Sequence, residues 1–290
     1  MIKLLALDLD GTTLTTRGEI TDENRAAIRR AEQAGVLVTI ATGRRFRDAQ
    51  PVGVDLELNS PLITHNGALL KYAVSRETVA YSLLSTETSL EIIRAGKMVG
   101  GDALVSTDPL GDGTLLYDRV SDDNLPLQKY IKWSRSLHGE HDRASVVHVP
   151  RLEDVIHEHR TVHISFSGSC AAMQRLEKHL RDESGARVTI LATIYTRLDF
   201  TLIDILPPDA SKGHGLARLA EINGLDPSEI MAMGDNFNDL EMLDYAGTAV
   251  VMGNADPRLL EGREFYTTLS NDESGVAAAI NRFILNQENT

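Results

Sequence analysis

Leu4-Leu5-Ala6-Leu7-Asp8-Leu9-Asp10-Gly11-Thr12 is the stretch on which the reading of the whole chain turns. Its nearly continuous apolarity from Leu4 to Leu9 suits a parallel strand covered on both faces. The run ends in two carboxylates and a glycine. Period-2 alternation predicts that Asp8 and Asp10 project to the same side at the carboxyl end of the strand. In an open parallel sheet that end forms the ligand crevice.

Outward from this strand, residues 22–34 read as a helix with Ala27, Ile28, Ala31 and Ala34 on one stripe, closed by Gly35. Residues 36–41 form a second buried strand, completing a βαβ unit. A third strand at 62–64 runs into His65-Asn66-Gly67, whose Asn-Gly pair signals a tight turn, and 69–73 pairs back as a hairpin. From residue 84 the pattern changes. Helices near 86–99, 124–137 and 170–183 are separated by alternating runs at 162–166, 187–192 and 198–206, as half-exposed antiparallel strands would be. Pro207-Pro208-Asp209 then punctuates the chain, and a helix from Lys212 and strands at 230–233 and 248–252 resume the first pattern. The expected fold is α/β: a Rossmann-like parallel-sheet core, 1–83 and 206–290, with an inserted α+β domain, 84–205.

The 290 residues are 42% apolar and 24% charged, a globular balance, and 29 basic against 42 acidic residues leave a net charge of −13. Such a chain needs a local basic patch to bind nucleic acid or an anionic membrane. Arg29-Arg30 and Arg44-Arg45-Phe46-Arg47 are too short and too diluted by acids to serve, so neither partner is expected, and any bound anion is small. The single cysteine, Cys170, excludes an intramolecular disulfide and a multi-cysteine zinc site and points to a reducing, cytoplasmic setting. No apolar stretch approaches the roughly 20 residues that span a bilayer. The sequence carries no sign of the oligomeric state.

Two more strand ends deliver polar residues to the same crevice: Thr42-Gly43-Arg44, and Gly234-Asp235-Asn236 followed by Asn238 and Asp239. Lys212 opens a helix, where it opposes the helix dipole at a cost of about 0.3–1 kcal/mol, a placement that makes sense when an anion shares the site. Carboxylates, a lysine and helix N-termini together describe a site for a hard cation and a phosphate, and Mg²⁺ favours a few carboxylates, waters and substrate oxygens. Phosphoryl transfer is the chemistry implied.

Asp8-Leu9-Asp10-Gly11-Thr12, Thr42-Gly43-Arg44, Lys212 and Gly234-Asp235-Asn236-Phe237-Asn238-Asp239 resemble, in order, the four motifs of the haloacid dehalogenase superfamily. Asn66-Gly67-Ala68, Ser211-Lys212-Gly213, Glu241-Met242-Leu243, Met252-Gly253-Asn254-Ala255 and Ser270-Asn271 before Gly275-Val276-Ala277 sharpen the resemblance to the Cof-type phosphatases. It covers both core segments and the position of the insertion, whose own sequence is similar only to an α/β cap of the general Cof kind. Thr13, where relatives often carry leucine, departs from the pattern and is expected to alter packing more than chemistry.

The resemblance implies a phosphatase acting on small phosphorylated metabolites such as sugar phosphates. Asp8 would be the nucleophile that forms an aspartyl-phosphate, and Asp10 the general acid and base. Mg²⁺ would be held by Asp8, the backbone carbonyl of Asp10 and Asp235. Thr42, the amide of Gly43, and Lys212 would bind the phosphate, Asn238 would position Lys212 or the phosphate, and Asp239 would support these groups from behind. Arg44 and Asn66 are candidates for touching substrate. The inserted cap would close over the crevice and select the leaving group. A phosphomutase and a receiver that merely holds phosphate on aspartate remain open as alternatives. Nine histidines show no metal spacing, since His157 and His159 flank Glu158 with poor geometry for one helical face. Trp133 with Tyr130 and Leu137 reads as a packing stripe, and Cys170 as structural.

Overall fold

The computed structural model describes residues 1–137, 145–195 and 198–285, and the chain divides into two compact units. One comprises residues 1–44, 49–79 and 211–290; the other comprises 45–48 and 80–210. Residues 45–48 thus belong to the second unit, although the sequence pattern leaves them with the first.

The first unit begins with β1 (Leu4–Leu7), every residue of which is buried. Helix α1 (Asp22–Gln33) follows, capped by Thr21, whose hydroxyl accepts the Asn24 amide at 3.2 Å. Its buried stripe is Asn24, Ala27, Ile28 and Ala31. Then come β2 (Leu37–Ile40), α2 (Phe46–Asp55), β3 (Leu62–Thr64), β4 (Leu69–Lys71) and β5 (Thr78–Tyr81). The last three make a small separate sheet in the order β3-β4-β5, with β3 and β4 antiparallel. Between β3 and β4 the chain turns through three consecutive left-handed residues, His65 (φ 51°), Asn66 (φ 49°) and Gly67 (φ 93°).

The second unit holds α3 (Thr86–Met98), β6 (Asp102–Thr107), β7 (Thr114–Tyr117), α4 (Leu125–Leu137), β8 (Val146–His148), the short α5 (Leu152–Val155), β9 (Thr161–Gly168), α6 (Cys170–Ser184), β10 (Thr189–Tyr195) and β11 (Phe200–Leu206). Its six strands run in the order β10-β11-β9-β6-β7-β8, antiparallel except for β7 with β8. Strand alternation gives the sheet two kinds of face. Ile164, Phe166, Ile203 and Ile205 join Ile92, Ile93, Met173 and Leu176 of α3 and α6 in the main core. Leu104, Leu115 and Val146 form a second cluster with Leu127 and Ile131 of α4. Two buried polar networks reinforce this unit. Asp102 accepts hydrogen bonds from Arg119 Nε, Ser121 N and Oγ, and Asn124 Nδ2. Arg45 forks onto Asp48 with both bonds at 2.8 Å, and the Tyr130 hydroxyl donates to Asp48 at 2.8 Å. Trp133, expected to pack, sets its ring beside that of Tyr130 with centroids 5.9 Å apart and stays 39% exposed.

The chain re-enters the first unit with α7 (Lys212–Ile222), β12 (Ile230–Gly234), α8 (Leu240–Tyr245), β13 (Thr248–Val251), β14 (Tyr266–Thr267) and α9 (Gly275–Phe283). The main sheet is entirely parallel, in the order β14-β13-β12-β1-β2. Strand β1 lies between β12 and the edge strand β2, so its carboxyl end opens between the ends of those two strands.

The turn at Gly67 packs against the entry to α7: a Cβ there would collide with the carbonyl oxygen of Ser211, a backbone atom that cannot step aside. Left-handed strain and overpacking each cost of the order of 1–3 kcal/mol. Gly67→Ala is therefore expected to lower the urea unfolding free energy by about 2 kcal/mol or more, and an unchanged transition would contradict this packing.

Candidate active site

Asp8 follows β1, Thr42 follows β2, Asp235 follows β12, and Lys212 is the first residue of α7. Because the strands are parallel, the first three arrive at one edge of the sheet. The Asp8 amide still donates to the Met233 carbonyl at 2.9 Å, which ties the loop after β1 to β12. Lys212 Nζ donates to Asp8 Oδ1 at 2.6 Å and to Asp239 Oδ1 at 2.5 Å, and its side chain is only 2% exposed. The other oxygen of Asp239 accepts the amides of Asp235 and Asn236, both at 3.0 Å. One buried carboxylate thus orients both the lysine and the loop that carries Asp235.

Gly11 (φ 83°) permits the close approach of the loops after β1 and β12, since a Cβ there would collide with the Asp235 carboxylate. Beside it, the Thr12 hydroxyl donates to Asp235 Oδ1 at 3.0 Å. The Thr13 hydroxyl donates to the Asp8 carbonyl at 2.6 Å. The hydroxyl at 13 therefore braces the backbone of Asp8 directly, more than the packing change expected of it. Neither threonine has an assigned role in the sequence motif; their position directly after Gly11, where a tight loop needs side-chain hydrogen bonds, is the signal that could have found them.

Burial pushes the Asp8 carboxyl well above its ordinary value, Asp239 and Asp235 add to this by repulsion, and Lys212 only partly opposes it. Asp235 is raised as well, by burial and then by Asp239. Burial alone would push the Lys212 ammonium down, but Asp239 and Asp8 overcome this and hold it above its ordinary value. The lysine stays charged, and the carboxylates around it exceed what it can balance.

Asp10 lies beyond the end of β1, which closes at Leu7. Asp10 is 60% exposed at its side chain and is gripped by Arg44, with Nε to Oδ2 at 2.8 Å and Nη2 to Oδ1 at 2.5 Å. Arg44, a candidate for touching substrate, engages this carboxylate. Asn238 is expected to position Lys212 or the phosphate; Lys212 is held by Asp239, and the Asn238 amide lies 3.4 Å from Asn66 Oδ1. Asn66 lies in the left-handed turn, with its side-chain amide beside Gly43. Thr42 is buried, and its hydroxyl accepts the Arg44 amide at 3.1 Å. Of the nine histidines, His138 and His141 lie outside the described residues.

Asp8, Asp235 and Asp239 bring carboxylate oxygens within 4.8 Å of one another, the one such group among the described residues that could hold a metal ion. Both oxygens of Asp239 are engaged by Lys212 and by amides. The side chains left to face a cation are Asp8 and Asp235, hard oxygen donors with unbalanced negative charge, and they fit a hard divalent ion. Among the described residues, no helix is long and apolar enough to cross a membrane.

The parallel sheet thus carries an α+β insertion and a lysine-clamped aspartate at the carboxyl end of β1. Residues 5–280 match the haloacid dehalogenase-like hydrolase family, and the chain belongs to it. It is 30% identical to a 5-amino-6-(5-phospho-D-ribitylamino)uracil phosphatase of Bacillus subtilis, with 99% of each chain covered. It is also 30% identical to an HMP-PP phosphatase of Serratia proteamaculans, over 89% of this chain and 86% of the relative. Among solved structures, a haloacid dehalogenase-like hydrolase from Bacteroides thetaiotaomicron superposes with a TM-score of 0.79 at 26% identity, covering 98% of this chain and all of the other.

The raised Asp8 carboxyl gives a stability prediction with a definite sign. The folded protein retains a proton that the unfolded chain releases near the ordinary value of 3.8, so stability from this group is present below that pH and is lost as pH rises through the higher folded value. In chelator, Asp8→Asn is expected to gain melting temperature relative to the parent between pH 4 and about pH 8. An equal difference at both ends of that range would contradict the electrostatics described.

Proposed function

We propose that the chain is a Mg²⁺-dependent phosphatase of small phosphorylated metabolites, sugar phosphates among them, working through an aspartyl-phosphate on Asp8. The observation that carries this reading is the buried ammonium of Lys212 held between Asp8 and Asp239 at the carboxyl edge of the sheet. It fixes one oxygen of Asp8 and leaves the other to attack. The relatives named above act, by their names, on small phosphorylated compounds, which supports the substrate class.

In this reading an Asp8 oxygen bonds to phosphorus as the ester P–O bond breaks, and Asp10 gives its proton to the departing alkoxide. Asp10 then takes a proton from the water that attacks the aspartyl-phosphate, releasing inorganic phosphate and restoring Asp8. Thr42, the Gly43 amide and Lys212 bind the phosphate oxygens, and the negative charge that builds on them in the transition state is met by donors already in place. Asp8, the carbonyl of Asp10 and Asp235 would hold Mg²⁺, with Asp239 bracing the loop behind them. When bound, the ion offsets the repulsion between an anionic nucleophile and an anionic phosphate. The second unit would serve as the cap that excludes bulk water and selects the leaving group.

Hydrolysis of p-nitrophenyl phosphate and of hexose phosphates tests the reading. Turnover is expected to stop in EDTA and to return with Mg²⁺, and Asp8→Asn is expected to remove it by about 10⁴-fold or more with the fold intact. Free phosphate as product separates hydrolysis from a mutase, which would return an isomerised sugar phosphate. Turnover that survives both EDTA and Asp8→Asn would overturn the proposal.

A further inference from the structure

Asp10 and Arg44 form a pair whose purpose the phosphoryl chemistry above leaves open. The guanidinium fork holds both carboxylate oxygens, at 2.8 and 2.5 Å, and so fixes the position and the plane of the carboxyl group. An exposed aspartate without such a fork would sample several rotamers.

The backbone of Arg44 is fixed too. Its amide donates to Thr42 Oγ1 at 3.1 Å, and its carbonyl accepts the His65 amide at 2.9 Å. The Asn66 amide donates to the Thr42 carbonyl at 3.0 Å. Thr42, Gly43 and Arg44 therefore rest on the turn in which His65 and Asn66 are both left-handed, at φ 51° and 49°. Non-glycine residues persist in that conformation only where the surroundings impose it, and such strain gathers at functional sites. Here the imposed turn fixes the segment that presents Thr42 and Gly43 on one side and the Arg44 fork on the other.

We propose that Arg44 is a positioning residue: it acts through Asp10, registering the acid/base carboxyl against the loop of Thr42 and Gly43, and does not act by gripping substrate. This rests on the reading of Asp10 as proton donor and acceptor. A displacement of about 1 Å in a catalytic group costs of the order of 10²-fold in rate.

The test is a double-mutant cycle on two substrates, with the parent, Asp10→Asn, Arg44→Ala, Arg44→Lys and Arg44→Ala/Asp10→Asn, each assayed with Mg²⁺. Glycerol phosphate has an alkoxide leaving group that needs a proton, whereas p-nitrophenolate departs without one. For glycerol phosphate, Arg44→Ala is expected to lower kcat about 10²-fold with KM within about threefold. The double variant is expected to be no slower than Asp10→Asn alone. Release of p-nitrophenol in the first turnover is expected to fall by about tenfold less than glycerol release. Added guanidinium is expected to restore part of the loss in Arg44→Ala. Arg44→Lys keeps the charge but lacks the fork, and is expected to fall between parent and Arg44→Ala, which keeps the test usable if the alanine variant folds poorly. Multiplying effects of the two substitutions, or a raised KM with kcat held, would overturn the proposal in favour of direct substrate binding by Arg44. Full glycerol phosphate turnover by Asp10→Asn is a separate outcome, which removes the acid/base reading of Asp10 and the role of Arg44 with it.

Discussion

The buried ion pairs of Lys212 with Asp8 and Asp239 are the interaction on which the rest of the site depends. Taking an ammonium and two carboxylates out of water is expensive, and mutual attraction offsets that only where geometry is good and the remaining lone pairs are satisfied. The geometry is good at both carboxylates, and at Asp239 the remaining lone pairs are satisfied as well. Asp239 spends its second oxygen on the amides of Asp235 and Asn236, so the same carboxylate sets the lysine and the loop after β12. Asp8 keeps an oxygen beyond its bond to Lys212. The excess of negative charge that results is a cost to the folded chain and the basis of its proposed affinity for a divalent cation.

Tight loops bring these groups together. Gly11 lets the loop after β1 come against Asp235, and Thr12 and Thr13 convert that approach into hydrogen bonds. On the other side, the left-handed turn at His65 and Asn66 holds the carbonyls of Thr42 and Arg44. The parallel sheet supplies the common edge, while the loops supply the placement. Left-handed His65 and Asn66 and the buried charges of Asp8, Lys212 and Asp239 lie at that edge, and a stable scaffold tolerates such features at functional sites.

Much of this is legible in the sequence, for identifiable reasons. Apolar runs such as Leu4–Leu7 and Ile230–Met233 announce buried parallel strands, and the alternation at 162–166 announces the sheet of the second unit. Motif order identifies Asp8, Thr42, Lys212 and Asp235 because each sits at an element boundary that local pattern locates. Side-chain direction beyond those boundaries is not legible. Asp10 lies past Leu7, where the strand has ended, so a strand period does not fix the direction of its side chain. The partnership of Lys212 with Asp239 spans 27 residues, and that of Arg44 with Asp10 spans 34; no local periodicity carries such pairings. Residues 45–48 join the second unit through the fork of Arg45 on Asp48 and the hydroxyl of Tyr130, a contact that only the folded chain displays.

The central claim is that Asp8, oriented by Lys212, becomes covalently phosphorylated during turnover. Rapid acid quench of the enzyme with excess p-nitrophenyl phosphate and Mg²⁺, followed by peptide mass analysis, tests it most directly. The account predicts one added phosphoryl group on the peptide that contains Asp8, appearing within the first turnover and lost on treatment with hydroxylamine. Release of phosphate with Asp8 unmodified at every time point would contradict it.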